Sequence, residues 1–140
     1  MAACRSARMA TPTYSFAVCA EIFDQLEQGD RVRIANSKWE DDRPDLRASM
    51  ENLLRRGVRL QVMAPTLRSE NIDQSWVDHL SNWQEEYPHF EVKWVSSPVL
   101  HNKNIFIERK NGERSAWTGA HNFRRRSLIY NFELLMSVQD

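Results

Sequence analysis

The amino-acid sequence predicts a single α/β domain built on a mixed β-sheet, an α/β sandwich whose first strands run parallel. Helix-like and strand-like segments alternate three times along the chain, which is typical of parallel strands joined by right-handed crossovers. The C-terminal part instead carries an Asn-Gly dipeptide between two strand-like segments, the strongest short signal for an antiparallel hairpin. The 140 residues, 41% of them hydrophobic, suffice for one core and are too few for two.

The first helix-strand unit begins after a polar start of the chain. Apolar residues recur at helical spacing from Phe16 to Leu26, and Gly29 and Asp30 end this helix. The segment "RVRIAN" follows at once, and its apolar residues alternate with arginines. This alternation predicts a strand with one buried face.

The next two units repeat the same order. Pro44 stands near the start of the second helix and Gly57 follows its end, directly before the alternating segment "VRLQVM". The third helix has an apolar stripe from Ile72 to Trp83 and ends before Pro88. "FEVKWV" is then the third strand, and "NFELLMSV" is predicted to be the last strand of the domain.

Residues 1–13 are predicted to be a flexible leader, and residues 14–140 the single domain. The first twenty residues contain two arginines and no acid, a composition faintly like a transit peptide. No stretch approaches the roughly 18 apolar residues of a spanning helix. A cytoplasmic protein without a transmembrane segment is therefore expected, with organellar import as the alternative. Cys4 and Cys19 match no metal or disulfide pattern and are predicted to be free thiols.

The hairpin predicts a cluster of polar side chains at one end of the sheet. If Asn111 and Gly112 alone form the turn, facing residues have numbers that sum to 223, and Asn122 faces His101. Facing residues of an antiparallel pair lie on one side of the sheet, with Cβ atoms about 5 Å apart. Lys103 shares that side because it follows His101 by two positions. An imidazole, an ammonium and a carboxamide are therefore expected to converge.

These residues resemble the signature of the phospholipase D superfamily. That signature is His-x-Lys, four residues and Asp, then Gly-Ser-x-Asn, and often Asn-x-Glu on the last strand. The resemblance implies a phospholipase D-like α/β/α sandwich with a mixed sheet, whose C-terminal β-hairpin carries the site. The matching residues are His101, Lys103, Glu108 in the Asp place, Gly119, Ala120 in the Ser place, Asn122, Asn131 and Glu133, with Arg126 and Ser127 where many members have Arg-Ser.

The resemblance further implies phosphodiester hydrolysis without a metal or another cofactor. His101 would attack phosphorus and form a phosphohistidine intermediate. Lys103 and Asn122 would hold the non-bridging oxygens, and Glu133 would accept the other imidazole N–H and fix the tautomer. Supporting roles are expected for Glu108, Gly119 and Asn131, and substrate-binding roles for Arg126 and Ser127.

The chain contains half of such a site. The family uses two His-x-Lys motifs, so that one histidine attacks and the other protonates the leaving oxygen, and this sequence has one. His121 adjoins Asn122 and should point to the opposite face of a strand, so it is not expected to be the second acid. A homodimer is predicted to complete the site, with a partner half-domain as the alternative. His79 and His89 are expected to be surface or structural histidines.

Three functions stay open. A nuclease-type phosphodiesterase is favoured because residues 101–140 carry seven cations against four acids, a surplus that could follow a nucleic-acid backbone. A phospholipid hydrolase or phosphatidyl transferase of the cardiolipin-synthase type is the second. A non-catalytic phosphate-binding half-domain is the third, and the missing hydroxyl at Ala120 would suit it. Trp39 is a candidate membrane-facing aromatic, although packing is its preferred role.

Overall fold

The computed structural model describes residues 6–10, 21–39, 44–66, 71–96, 103–119 and 135–139. These residues form one mixed seven-stranded sheet and two helices, with a further helical segment at residues 21–24. The strands are β1 (Ser6–Ala10), β2 (Arg31–Asn36), β3 (Arg59–Pro65), β4 (Phe90–Val95), β5 (Lys103–Glu108), β6 (Arg114–Gly119) and β7 (Leu135–Gln139), and the helices are α1 (Pro44–Arg55) and α2 (Gln74–Glu86).

The strand order across the sheet is β1-β7-β6-β5-β2-β3-β4. β2, β3 and β4 are parallel neighbours joined through α1 and α2, as the alternation of helix and strand predicts. β5 pairs antiparallel with β2, and β6, β7 and β1 extend the sheet in antiparallel fashion. The predicted mixed α/β architecture is therefore confirmed.

The core lies between the two helices and one face of the sheet. Alternate strand residues such as Val32, Ile34 and Ile105 are buried against the apolar stripes of the helices. Leu53 of α1 and Trp76 of α2 belong to this same cluster, so both helices cover the same face. The described helices thus form one helical layer of the predicted α/β/α sandwich. The described residues contain no helix on the other face of the sheet.

The N-terminal strand corrects the sequence-based assignment. Ser6–Ala10 forms β1 and pairs antiparallel with β7, so these five residues belong to the sheet and not to a flexible leader. The partner strand β7 lies far along the chain from β1, and no local sequence pattern predicts such a pairing. The predicted first helix, from Phe16, lies partly outside the described residues. The predicted last strand begins at Leu135 within them.

The β5–β6 turn also differs from the prediction, because its loop has three residues and not two. The Arg109 N–H donates to the Glu113 carbonyl at 2.8 Å, and the Gly112 N–H donates back to the Arg109 carbonyl at 2.9 Å. Gly112 has φ +93°, in the left-handed region that glycine adopts without steric penalty. This is a type I turn followed by a G1 bulge, the usual form of a three-residue hairpin loop. We call this end of the sheet the turn end.

Candidate functional site

The opposite end of the sheet carries two of the described residues of the predicted site, Lys103 and Gly119. Lys103 begins β5, and it pairs with Asn36 at the carboxyl end of β2. Gly119 ends β6 and pairs with Leu135, the first residue of β7. We call this end, defined by these four residues, the site edge. The crevice outside the carboxyl ends of parallel strands is where α/β sheets usually bind ligands.

Most of the predicted site residues lie outside the described part of the chain. Lys103 and Gly119 are placed by their backbone, and Glu108 is placed with its side chain. The residues of the site that lie outside the described ranges are His101, Ala120, Asn122, Arg126, Ser127, Asn131 and Glu133. Their roles therefore stay predictions.

The register removes one reason for placing Asn122 beside His101. In the described ladder the facing residue numbers sum to 222, as for Asn104 with Thr118, instead of the predicted 223. Because side chains alternate between faces, a shift of one residue assigns positions 101 and 122 to opposite sides of a continued ladder. The predicted register is therefore wrong, while His101 and Asn122 themselves lie outside the described residues. The assignment of Asn122 therefore depends on the motif it matches.

Lys103 occupies a position on the core-facing side of β5. Ile105 and Ile107, which share that side, are buried in the core. The cross-strand neighbour of Lys103 is Asn36, whose exposed fraction is 2%. A buried carboxamide thus stands beside the motif lysine, at the point where the apolar face of the sheet ends.

Asn36 is a residue that the sequence-based site prediction missed. Val32 and Ile34 alternate as buried residues of β2, and the next position in that alternation is a polar one. Burying an amide costs free energy unless it is hydrogen-bonded, so a polar residue at a core position is a signal of its own. That break in the pattern of "RVRIAN" could have identified Asn36 from the sequence.

The loop after β2 is held in place by its own hydrogen bonds. The Asn36 side-chain oxygen accepts the Lys38 N–H at 3.1 Å, and the Asn36 carbonyl accepts the indole N–H of Trp39 at 3.0 Å. Trp39 is fully buried and meets the ring of Trp76 edge to face, with centroids 5.1 Å apart. Trp39 is therefore a packing residue, as preferred from the sequence, and it does not face a membrane.

The same loop is joined to the segment that precedes α2. The Trp39 N–H donates to the Asn71 carbonyl at 2.8 Å, and the Asp73 N–H donates to the Trp39 carbonyl at 3.0 Å. Trp39 and Ile72 form a parallel bridge between these bonds. The backbone next to Asn36 is thus fixed to the start of α2, and the position opposite Lys103 rests on a rigid support.

Glu108, in the Asp place of the motif, lies far from the site edge. It is exposed, it lies on the face opposite that of Lys103, and its cross-strand neighbours are Arg31 and Arg114. It follows Lys103 by five positions along the strand, or about 17 Å. Glu108 cannot touch a substrate held at Lys103, so its place in the motif is a structural one.

Two cations that the sequence places near the site lie at the turn end. Arg109 Nε is 3.6 Å from the Asp30 carboxylate, and Arg109 Nη2 donates to the Gln25 carbonyl at 3.1 Å. Lys110 Nζ is 2.9 Å from the Glu27 carboxylate. Both are about 20 Å or more along the strand from Lys103. The expected cationic surplus beside the site does not include them.

The two described histidines away from the motif have structural surroundings. His89 Nε2 lies 2.7 Å from the Leu54 carbonyl, and the His79 ring packs near that of Trp83, with centroids 6.2 Å apart. Within the described ranges, no group of three or more His, Cys, Asp or Glu side chains is arranged to hold a metal ion. No helix among the described residues is long and apolar enough to cross a membrane.

A family model described as "Cardiolipin synthase, PLD-like domain" matches residues 3–140. Among solved structures, NucT from Helicobacter pylori is similar with a TM-score of 0.71 and 13% identity, over 96% of this chain and 86% of that one. Nuc from Salmonella typhimurium, a phospholipase D family member, has a TM-score of 0.63 and 16% identity, over 96% of this chain and 83% of its own.

A third similar structure belongs to a larger protein. The phosphatidylserine synthase of Haemophilus influenzae Rd KW20 has a TM-score of 0.70 and 12% identity, over 96% of this chain and 34% of that one. At such identities the similarity establishes a common fold. No curated protein sequence matches the chain.

Proposed function

Because the chain belongs to the phospholipase D-like family, we propose that it is a metal-independent phosphodiester hydrolase that acts through a phosphohistidine on His101. The observation that carries this proposal is the place of Lys103. The motif lysine begins β5 at the site edge, beside the buried Asn36 and at the carboxyl ends of the parallel strands. That is where a fold of this kind holds a ligand.

The proposed reaction has two steps. An imidazole nitrogen of His101 attacks phosphorus, the bond to the leaving oxygen breaks, and a proton passes to that oxygen from a second histidine. Water then attacks the phosphohistidine, gives up a proton to the same second histidine, and releases the phosphate product and free His101. Lys103 and Asn122 stabilise the negative charge on the non-bridging oxygens. Glu133 accepts the other imidazole N–H of His101 and so fixes its tautomer.

The remaining motif residues have supporting parts in the proposal. Gly119 and Asn131 support the site, and Arg126 and Ser127 bind the substrate. Glu108 lies near the turn end and does not contact the substrate, so its proposed role is to stabilise the sheet. Ala120 leaves one hydrogen-bond donor fewer than a serine there would supply.

The second histidine comes from a second copy of the chain in a homodimer. The sequence carries one His-x-Lys motif where the proposed reaction needs two histidines, and this supports a second copy as the source of the other one. A partner half-domain is the alternative. Sedimentation of the active protein at low micromolar concentration tests this step: an active monomer would contradict the dimer.

Nucleic acid is the proposed substrate, with phospholipid as the second candidate. Among the described residues, Phe106 is the one large hydrophobic side chain that is exposed, and a single ring does not make a lipid-binding surface. Trp39 is buried and cannot insert into a membrane. The match to the cardiolipin synthase family model and the likeness to a phosphatidylserine synthase are the specific observations that keep the lipid substrate open.

One set of assays on the pure protein distinguishes the functions. Cleavage of single-stranded DNA and of a chromogenic phosphodiester in EDTA, both lost in His101→Ala, supports the nuclease. Release of headgroup from liposomes without DNA cleavage supports the phospholipid enzyme. Binding of a phosphate analogue without turnover supports the non-catalytic half-domain. The mass of the adduct on His101 after acid quench identifies the transferred group. The cytoplasm stays the predicted compartment, with organellar import as the alternative.

A further inference from the structure

The sheet has a second face, which points away from α1 and α2. We call the part of it on β2 to β6 the open face. Its strand positions alternate with those of the core, and its described side chains are exposed or half-buried except for Pro65, which is buried. Phe106, with an exposed fraction of 47%, lies in the middle of this face.

The open face carries a positive charge. Its described side chains include five cations and two acids, a surplus of three on a chain whose formal net charge is zero. The cations and acids of the whole chain cancel at 19 each, so this surplus comes from the way the strands are paired. The cations are Arg31, Arg33, Arg59, Lys93 and Arg114, and the acids are Glu91 and Glu108.

Phe106 stands between a guanidinium and a small residue. Its cross-strand neighbours are Arg33 on β2 and Ala116 on β6. Because the alanine is small, a hollow of about 570 Å³ opens beside the ring, lined by Phe106, Ala116, Arg31 and Arg33 among others. A second hollow of about 310 Å³ lies toward β3 and is also lined by Phe106 and Arg33. Both volumes are in the range of small-ligand sites.

A row of hydrogen bonds orients Arg33. Its Nε donates to the Gln61 side-chain oxygen at 2.9 Å, and the Gln61 amide donates to the Glu91 carboxylate at 3.0 Å. The terminal nitrogens of Arg33 make no hydrogen bond with other described residues. The guanidinium is therefore held next to the aromatic ring with donors that an anion can use.

We propose that the open face binds single-stranded nucleic acid, with a base stacked on Phe106 and backbone phosphates held by Arg31 and Arg33. An exposed aromatic ring on a sheet, flanked by cations, is what single strands need, because every base has a face to stack and every nucleotide a phosphate to neutralise. A second copy of the chain fits less well, since a two-fold contact would set the same positive face against itself. Among the described residues Phe106 is the one exposed large apolar side chain, whereas a lipid surface would need several.

This site is separate from the proposed catalytic one and depends on the proposed function only for the class of substrate. Phe106 follows Lys103 by three positions, or about 10 Å, and lies on the other side of the sheet. A strand bound to the open face has to pass over the site edge to reach Lys103. The open face would therefore hold a substrate strand beyond the nucleotides at the scissile bond.

Fluorescence anisotropy with a labelled oligodeoxythymidine in EDTA tests the proposal, with the wild-type chain and with His101→Ala to prevent cleavage. Phe106→Ala should weaken binding about tenfold, the usual loss of one stacked base, and Phe106→Tyr should restore it. Arg33→Gln should weaken binding and reduce the slope of log Kd against log salt by about 0.7. Arg55→Gln, an equal charge change at an exposed side chain of α1, is the control and should leave binding unchanged.

The outcomes separate this inference from the proposed function. Unchanged binding in Phe106→Ala and Arg33→Gln, with circular dichroism showing folded variants, overturns the open-face site. So does a shift from dimer to monomer in Phe106→Ala with oligonucleotide affinity retained, which would assign the face to a second copy. Hydrolysis of the chromogenic phosphodiester does not need the open face. If the wild-type chain does not hydrolyse the chromogenic phosphodiester, the proposed function is contradicted, while oligonucleotide binding to the open face can still be measured.

Discussion

The turn end and the site edge of the sheet each bury a polar side chain, and they use it differently. At the turn end Asp30 has an exposed fraction of 1% and accepts the N–H groups of Glu27 and Lys110, each at 2.9 Å, with the Arg109 guanidinium nearby. Asp30 thereby joins the loop before β2 to the β5–β6 hairpin. At the site edge Asn36 is bonded within its own loop and borders Lys103.

The difference between Asp30 and Asn36 assigns folding stability to the turn end and catalysis to the site edge. A buried carboxylate with its charge offset by an arginine and two backbone donors holds two loops together, and the free energy of folding depends on it. The buried amide of Asn36 is neutral, so it adds no charge beside Lys103. Its hydrogen bond fixes the loop that follows β2. Substitutions at the turn end should therefore change folding, and substitutions at the site edge should change turnover.

The largest effect is expected at Lys103. Lys103→Ala should lower kcat on the order of 10²- to 10³-fold, because a donor to the transition-state oxygens is lost. The melting temperature should change little. Hydrolysis of the chromogenic phosphodiester and a thermal melt measure both. A variant with full turnover would remove Lys103 from the site, and Lys110→Ala at the turn end is the matched lysine control.

The second effect is expected at Asp30. Asp30→Ala leaves two N–H groups and a partly buried arginine without their acceptor, so the free energy of unfolding should fall by about 3 kcal/mol. Urea denaturation measures the loss, and turnover per folded molecule should stay the same. Glu27→Ala is the control, because its pair with Lys110 is exposed and should contribute under about 1 kcal/mol. Equal losses in both variants would contradict the assigned role of Asp30.

A smaller and mixed effect is expected at Asn36. Asn36→Ala leaves the Lys38 N–H without its acceptor and should cost about 1 kcal/mol of stability. If Asn36 positions the strand end beside Lys103, kcat should also fall about tenfold while KM stays constant, as for a lost transition-state interaction. Trp39→Phe keeps a ring in the core and removes the indole N–H bond to the Asn36 carbonyl, and it should lower stability and kcat by less than Asn36→Ala does. A stability loss with unchanged kcat would make Asn36 purely structural.

The smallest effect is expected at Gly112. A Cβ there would meet nothing within 4 Å, so Gly112→Ala introduces backbone strain alone. With φ at +93°, the expected loss is about 1 kcal/mol, visible as a lower melting temperature. Asn111→Ala in the same loop is the comparison. If Gly112→Ala and the wild-type protein melt together, the left-handed turn is not what sets the hairpin register.

The parallel half of the fold could be predicted because its signals are local. Apolar residues at helical spacing and alternating strand residues each lie within about a dozen positions, and β2 to β4 with α1 and α2 follow from them. The hairpin was located for the same reason, since Asn111-Gly112 marks a turn. Its register was not, because glycine in the left-handed region suits both a two-residue and a three-residue loop.

Contacts between distant parts of the chain could not be predicted. The bond from Lys110 to Asp30 joins residues 80 positions apart, and the pairing of β1 with β7 joins the two ends of the described chain. The sequence around one member of each pair does not indicate which distant segment it contacts. Of the site, the sequence yields the motif residues. The structure offers Asn36 as a further candidate, because it is buried beside Lys103, and removes the geometric reason for Asn122. His101, Asn122 and Glu133 stay predictions from the family resemblance.

The place of β1 in the sheet has a consequence for the order of folding. β2, β3 and β4, with their two helices, can assemble from neighbouring segments while the chain is still being synthesised. β1 cannot, because its one neighbour is β7, the last strand of the described residues to leave the ribosome. β1 therefore stays unpaired until β7 has been synthesised, and this non-local closure is of the slow kind. Loss of β7 would also detach β1 from the sheet, because β7 lies between β1 and β6.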